Sequence, residues 1–187
     1  SYCRAIAINP VLAEAHNNLG NAYLKLHEPD QAIESFKRAI AAKPEYAEAH
    51  NSLGNALIMR ERMGEAVDSY LRAIAIKPDM AEAHNNLGAA YVMTDKIDEA
   101  NASFRRALDI DPLFAKAIHQ LGRLHYDLGD VKEAKRYYRK AVFEVKEPNY
   151  FEAKRLLTCE VLDPDATNES ILETAKTVAA VAGIDND

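Results

Sequence analysis

Tryptophan is absent, cysteine occurs only twice, and no apolar run approaches the roughly 18 residues that a membrane span needs. Cys3 and Cys159 stand far apart with no CxxC, which excludes a disulfide framework and a zinc site built on paired cysteines. An excess of basic residues is also missing. Against 29 Asp+Glu there are 23 Lys+Arg, a net charge of −6, which argues against general nucleic-acid binding. Ser1 opens no signal-peptide pattern, so the expected location is cytoplasmic, without membrane insertion. The disorder signature of low hydrophobicity with extreme charge is missing too: 48% of the 187 residues are hydrophobic, enough to bury a core.

Catalytic signatures are likewise wanting. There is no GxSxG, no GxxxxGK followed by Ser or Thr, and no HExxH. Paired acids are scattered as on solvated helix faces, with no apolar setting to shift a pKa. No catalytic residue, metal or cofactor is therefore expected, and the chain reads as a non-enzyme. Asn101-Ala102-Ser103 and Asn168-Glu169-Ser170 match a glycosylation sequon, but without a secretory signal neither is read as modified.

What is present is a repeat. The octet Ala13-Glu14-Ala15-His16-Asn17-Asn18-Leu19-Gly20 returns at 47–54, at 81–88 and, weakened, at 115–122, so the starts differ by 34. A second half recurs with it: Ala32, Ala66, Ala100 and Ala134; Phe36, Tyr70, Phe104 and Tyr138; Ala39, Ala73, Ala107 and Ala141; and Pro44, Pro78 and Pro112. Gly inside a helix costs about 1 kcal/mol relative to Ala, so Gly20, Gly54, Gly88 and Gly122 predict close helix approach. The aromatic column is expected to fill space between neighbouring repeats. The prolines stop the second helix. In the first helix Ala15, Leu19, Ala22, Tyr23 and Leu26 fall on one apolar face.

These residues resemble the tetratricopeptide repeat, a 34-residue helix–turn–helix. The resemblance implies an all-α fold: a right-handed α-solenoid of stacked helix-turn-helix repeats with C-terminal capping helices. The expected organisation is a second-helix remnant over 1–12, repeats over 13–46, 47–80, 81–114 and 115–150, a capping helix over 151–162, and a linker with a short helix over 163–187. The fourth repeat is two residues longer, with Pro148 in place of a proline at Lys146, so its turn is expected to differ. Asp130-Val131-Lys132-Glu133 reads as a capping box, as does Ser170-Ile171-Leu172-Glu173, whose helix Gly183 ends. The opening residues Ser1 to Ile8 parallel Ser69 to Ile76, as expected of a piece of a longer repeat chain; if the protein begins there instead, Tyr2, Ile6 and Ile8 are expected to be apolar surface for self-association.

Two columns invite functional readings. His16, His50 and His84 recur in register, but repeats stack about 10 Å apart and zinc ligands converge to about 2 Å from one ion, so they read as helix–helix contacts. His119 and His125, six apart, do not face one another. The dense basic cluster Lys132, Lys135, Arg136, Arg139 and Lys140 reads as a solvated outer face. The acidic tail (Asp163, Asp165, Glu169, Glu173, Asp185, Asp187) is expected to gain little from docking on it, because of screening.

The polar stripe of the first helices stands above background. Asn17, Asn18, Asn21 and Lys25 lie on one side of the first; Asn51, Ser52 and Asn55, then Asn85 and Asn86, then His119, Gln120 and Arg123 follow in the others, with Glu14, Glu48, Glu82 and Lys116 at their starts. Asn is a poor helix former, so its repetition asks for a reason. In the resembled family the first helices line a concave peptide-binding surface. The stripe is similar to the asparagine ladder of the repeat arm of protein O-linked N-acetylglucosamine transferases; Asn18 and Asn86 match it, and Ser52 and Gln120 depart. An amide offers donor and acceptor together and reads peptide backbone. The expected function is a protein-interaction module that holds a peptide or partner segment in its concave groove. Three other readings are a recruiting arm of a larger transferase, a self-assembling scaffold, and a chaperone adaptor gripping a carboxylate tail. The last is disfavoured by Asn where Lys would be needed.

Overall fold

The computed structural model describes residues 10–145 and 150–183, and among them ten helices and no strand. They pair in chain order: α1 (Pro10–Lys25) with α2 (Pro29–Ala42), α3 (Ala47–Met59) with α4 (Met63–Ile76), α5 (Ala81–Met93) with α6 (Ile97–Ile110), α7 (Ala115–Asp127) with α8 (Val131–Phe143), and α9 (Tyr150–Leu162) with α10 (Asn168–Val181). The chain is an α-solenoid of helix-turn-helix repeats, divided into two compact units, one ending at Ile110 and the other beginning at Asp111. Residues 1–9 of the half-repeat expected over 1–12, with Tyr2, Cys3, Ile6 and Ile8, and the turn around Lys146 and Pro148 lie outside the described residues, while Pro10 to Leu12 belong to α1.

In the first unit each hairpin is closed by glycine. A Cβ added at Gly20 would meet Phe36 at 2.5 Å, and one at Gly88 would meet Phe104 at 2.7 Å; Gly54 lies under Tyr70 in the same way. The aromatic column therefore seats on the glycine of its own repeat, and Phe36 and Tyr70 also fill the core shared with neighbouring repeats, as the sequence suggested. Ala32, Ala66 and Ala100, all fully buried, let the paired helices touch. One core then runs from hairpin to hairpin: Ile33 and Phe36 of α2, Leu53 and Leu57 of α3, Tyr70 of α4 and Leu87 of α5. Each such side chain contributes about 1.5–3 kcal/mol when fully buried, and only stacking buries it.

The first helices of the four repeats end alike. His27, Glu61 and Asp95 adopt φ of 57°, 57° and 58°, and Gly129 one of 78°. The next amide reaches back five residues, as in Glu28 N to Tyr23 O at 2.9 Å and Arg62 N to Leu57 O at 3.0 Å. This is a Schellman turn, and three of the four repeats build it on a non-glycine residue. Second helices end just before their prolines, and a histidine fastens that turn: His50 and His84 donate through Nε2 to the carbonyls of Pro44 and Pro78, each at 3.0 Å. Burial holds His50 below its ordinary pKa, offset in part by that bond, so it is neutral at pH 7. His50 and His84 are thus structural, fastening the turns between repeats.

One expectation fails in α1. Ala15, Leu19, Ala22 and Leu26 are exposed, whereas Ala49, Leu53 and Ala56, their counterparts in α3, are buried. A preceding hairpin covers that face in α3, and none covers it in α1 among the described residues.

In the second unit Gly122 lies under Tyr138, and a core of Ala134, Tyr138, Val142, Ala153, Leu156 and Cys159 takes Val178 and Val181 from α10. The last helix thus folds back on α9 as a fifth, irregular hairpin. It starts earlier than its Ser170 signal suggested: Thr167 is the N-cap, its Oγ1 accepting from Ser170 N at 3.1 Å, and Gly183 with φ 67° ends it. Asp130 caps α8 as expected, accepting from Glu133 N at 3.2 Å. Burial pushes the Cys159 thiol up to about 11, leaving it inert.

The basic cluster of α8 is a solvated face at Lys132, Arg136 and Arg139, which are exposed, and is corrected at Lys135 and Lys140, which are half-buried. Lys132 pairs with Asp165 at 2.7 Å, Lys135 with Asp163 and with Glu160 at 3.6 Å, and Arg139 with Glu160 at 3.3 Å. Glu160 is 1% exposed and also accepts from Ser170 Oγ at 3.3 Å. Of the tail acids, Asp163 and Asp165 are direct hydrogen-bonded neighbours of the cluster; the Lys135–Asp163 pair is shielded from solvent, and the exposed Lys132–Asp165 pair stays open to screening, while Asp185 and Asp187 lie outside the described residues. Arg136 remains exposed and Lys140 half-buried, with Arg136 3.7 Å from Glu133.

Candidate functional site

The polar stripe of the first unit resolves into three columns. Asn17, Asn51 and Asn85 are buried, at 6%, 4% and 4% exposure. Ser52 and Asn86 are half-buried, and their counterpart Asn18 is exposed; Asn21 and Asn55 are half-buried. Lys25 is exposed, as are Met59 and Met93, which follow it at the same repeat position.

Four of these amides meet across the seam between α3 and α5. Asn86 Nδ2 donates to Asn51 Oδ1 and to Asn55 Oδ1, both at 3.1 Å; Asn85 Nδ2 donates to Asn86 Oδ1 at 3.3 Å; and Tyr70 Oη donates to Asn55 Oδ1 at 2.8 Å. Asn86 is consequently a bridge between successive first helices as well as a surface group. One repeat earlier the bridging position is Ser52. Its short hydroxyl makes no such bond, and Asn17 Oδ1 is left buried without a partner.

Other amides remain available. Among the described residues Asn18 and Asn21 have no partner. Asn55 accepts two bonds at Oδ1 while its Nδ2 donates none, so its carbonyl is anchored and its two N–H donors are free. Charge is sparse here. The charged residues of α1, α3 and α5 are Glu14, Lys25, Glu48 and Glu82, and Glu48 pairs with Lys77 at 3.3 Å. Burial, with Glu82 nearby, raises the Tyr70 pKa, so the phenol stays protonated and donates.

The fourth-repeat residues belong to the second unit. His119 Nδ1 lies 3.4 Å from Glu152 Oε1, Gln120 is half-buried and Arg123 is exposed. Sequence reasoning missed Tyr70, Ile58, Met59, Ala89 and Met93, which line a cavity beside Asn55 and Asn86. Helical spacing carried the signal: Ile58 and Met59 follow Asn55 by three and four, and Ala89 follows Asn86 by three. Among the described residues no group of three His, Cys, Asp or Glu side chains is placed to hold a metal, and no helix is long and apolar enough to cross a membrane.

Tetratricopeptide-repeat family models match residues 17–81 and then 81–114 and 115–143, which together span well over half of the chain. The chain belongs to the tetratricopeptide-repeat family. A search of curated proteins finds no sequence match. Solved tetratricopeptide-like structures share the fold. The crystal structure of MamA protein aligns with a TM-score of 0.75 at 19% identity, over 92% of this chain and 92% of that one. The structure described as the functional characterization of Pseudomonas aeruginosa pilF gives 0.76 at 20% identity, over 96% and 80%. The first repeat domain of Spaghetti (RPAP3), bound to the HSP90 peptide SRMEEVD, gives 0.63 at 22% identity, over 66% and 98%.

Proposed function

We propose that this tetratricopeptide-repeat chain is a protein-interaction module whose first-helix face over α1, α3 and α5 binds a segment of a partner protein. Asn18, Asn21 and Asn55 hold the partner's main chain, while Asn51, Asn85 and Asn86 keep the surface in shape. Lys25 extends the contact in the first unit, and His119, Gln120 and Arg123 offer the matching polar side chains in the second. The observation that carries this reading is Asn55: Tyr70 and Asn86 fix its orientation, yet both of its N–H donors are unused. A donor oriented before the ligand arrives costs little entropy on binding. A peptide main chain supplies the carbonyl it lacks.

The test is a selection from a random peptide display library on the full chain, followed by affinity measurements on variants. Asn55→Asp keeps the oxygen that accepts from Tyr70 and Asn86 and deletes the donors; Asn18→Ala with Asn21→Ala removes two surface amides. Selected peptides should lose about tenfold or more in affinity, corresponding to about 1.4 kcal/mol, with melting little changed. A library that enriches nothing, or peptides indifferent to all three changes, overturns the reading.

A further inference from the structure

The face between α3 and α5 is polar on one side only. Beside the Asn55–Asn86 amides opens a cavity of about 320 Å³, walled by Ile58, Met59, Ala89 and Met93 and backed by Tyr70. No wall residue is ionised at neutral pH. Met59 and Met93 leave 44% and 55% of their surface in water at its mouth. Long, unbranched thioethers there form a wall that reshapes around an incoming group.

Resting on the groove reading above, we infer that this cavity is an anchor pocket for one bulky apolar side chain (Leu, Met or Phe) from an internal stretch of the bound peptide, flanked by neutral or basic residues. Its volume lies at the low end of the range of about 300–1,000 Å³ typical of ligand pockets, which suits a single side chain. Asn55 Nδ2 at the edge takes the main-chain carbonyl next to the anchor, so side chain and backbone are read together. The charge pattern decides the flanks. Neither α3 nor α5 carries a cation, and their charged residues are Glu48 and Glu82. A carboxylate brought to this mouth loses hydration without gaining a partner in the wall. The cations that flank α3 and α5 are engaged elsewhere: Arg60 by Asp30 at 3.1 Å, Arg62 by Glu65 at 2.6 Å, Lys77 by Glu48 at 3.3 Å, and Lys96 over the Tyr91 ring. An acidic tail such as SRMEEVD, the ligand of the Spaghetti domain, is the wrong chemistry for this pocket.

Fluorescence anisotropy on the full chain with three dye-labelled, end-blocked peptides tests this. They are identical except for a core of Arg-Leu-Arg, Arg-Ala-Arg or Asp-Leu-Asp. The first should bind about tenfold tighter than either of the others. Ala89→Phe, which fills the cavity, should remove that advantage. Met93→Lys, at an exposed site the fold tolerates, should shift preference toward Asp-Leu-Asp and carries the test if the Phe variant does not fold. Equal binding of the Leu and Ala cores, or of the Arg and Asp flanks, overturns the inference, as does a folded Ala89→Phe variant of unchanged preference. If none of the three binds while library-selected peptides still depend on Asn18, Asn21 and Asn55, the pocket falls and the groove reading stands. If the library itself enriches nothing, the groove reading falls.

Discussion

Gly88 lies so close beneath the ring of Phe104 that a Cβ there would sit 2.7 Å from its Cδ1. The ring is fully buried and cannot move aside without opening the α5–α6 hairpin. Gly88→Ala should therefore destabilise by about 1–3 kcal/mol, and Gly54→Leu by more, through overpacking. A Cβ added at Gly64, near the start of α4, would meet nothing within 4 Å, so Gly64→Ala should be neutral or stabilising by up to about 1 kcal/mol. Urea denaturation of the three variants checks the contrast; equal effects at Gly64 and Gly88 contradict it.

Ser52 interrupts the amide bridge that Asn86 makes one repeat later. Ser52→Asn should reach the buried, unpartnered Asn17 Oδ1 and stabilise the first unit by about 1 kcal/mol. Asn86→Ala should cost about 1–2 kcal/mol, since it strands the Asn51 acceptor and the Asn85 donor while Asn55 keeps Tyr70; exposed Asn18→Ala stays within about 0.5 kcal/mol. Thermal melts that rank Asn18 and Asn86 equally contradict the bridge.

Glu61 occupies a left-handed conformation at φ 57° that Gly129 takes without strain in the fourth repeat. Glu61→Gly should gain up to about 1 kcal/mol, and Gly129→Ala should lose about as much. The sign of the change in chemical denaturation midpoint decides.

The α8–α9–α10 charge cluster predicts a defined pH window. The bond from Lys135, helped by the amide of Asp165, holds the Asp163 carboxyl below the usual carboxylate range. A depressed folded-state pKa contributes stability above the unfolded value of about 3.9 that is lost as pH falls through the folded one. The Asp163 bond in turn raises Lys135, whose contribution is complete below about pH 10.4 and is lost as pH rises through its folded value. Lys132, Arg139, Glu160, Asp165 and Ser170 face the same pair. Protection of the α10 amides, measured relative to their intrinsic exchange rates, should fall below about pH 4, and Asp163→Asn should flatten that step. An unchanged acid profile in the variant removes Asp163 from the latch.

The 34-residue period, the small residues at fixed offsets and the prolines fixed the helical hairpins before any coordinates, because each is dictated by local backbone geometry or by contact with a neighbour a constant distance along the chain. The polar stripe was equally legible as a stripe, since i, i+3 and i+4 residues share a helix face whatever surrounds them. Which amides are free and which are bound was not. Asn55 and Asn86 lie 31 residues apart, and only the stacking of α3 against α5 decides that one anchors the other and that Tyr70 backs both. The same holds for Glu160, Asp163 and the lysines of α8, whose pairing depends on how the last hairpin folds back. Sequence periodicity sets what each helix presents; desolvation and distance between helices set what it can still offer a partner.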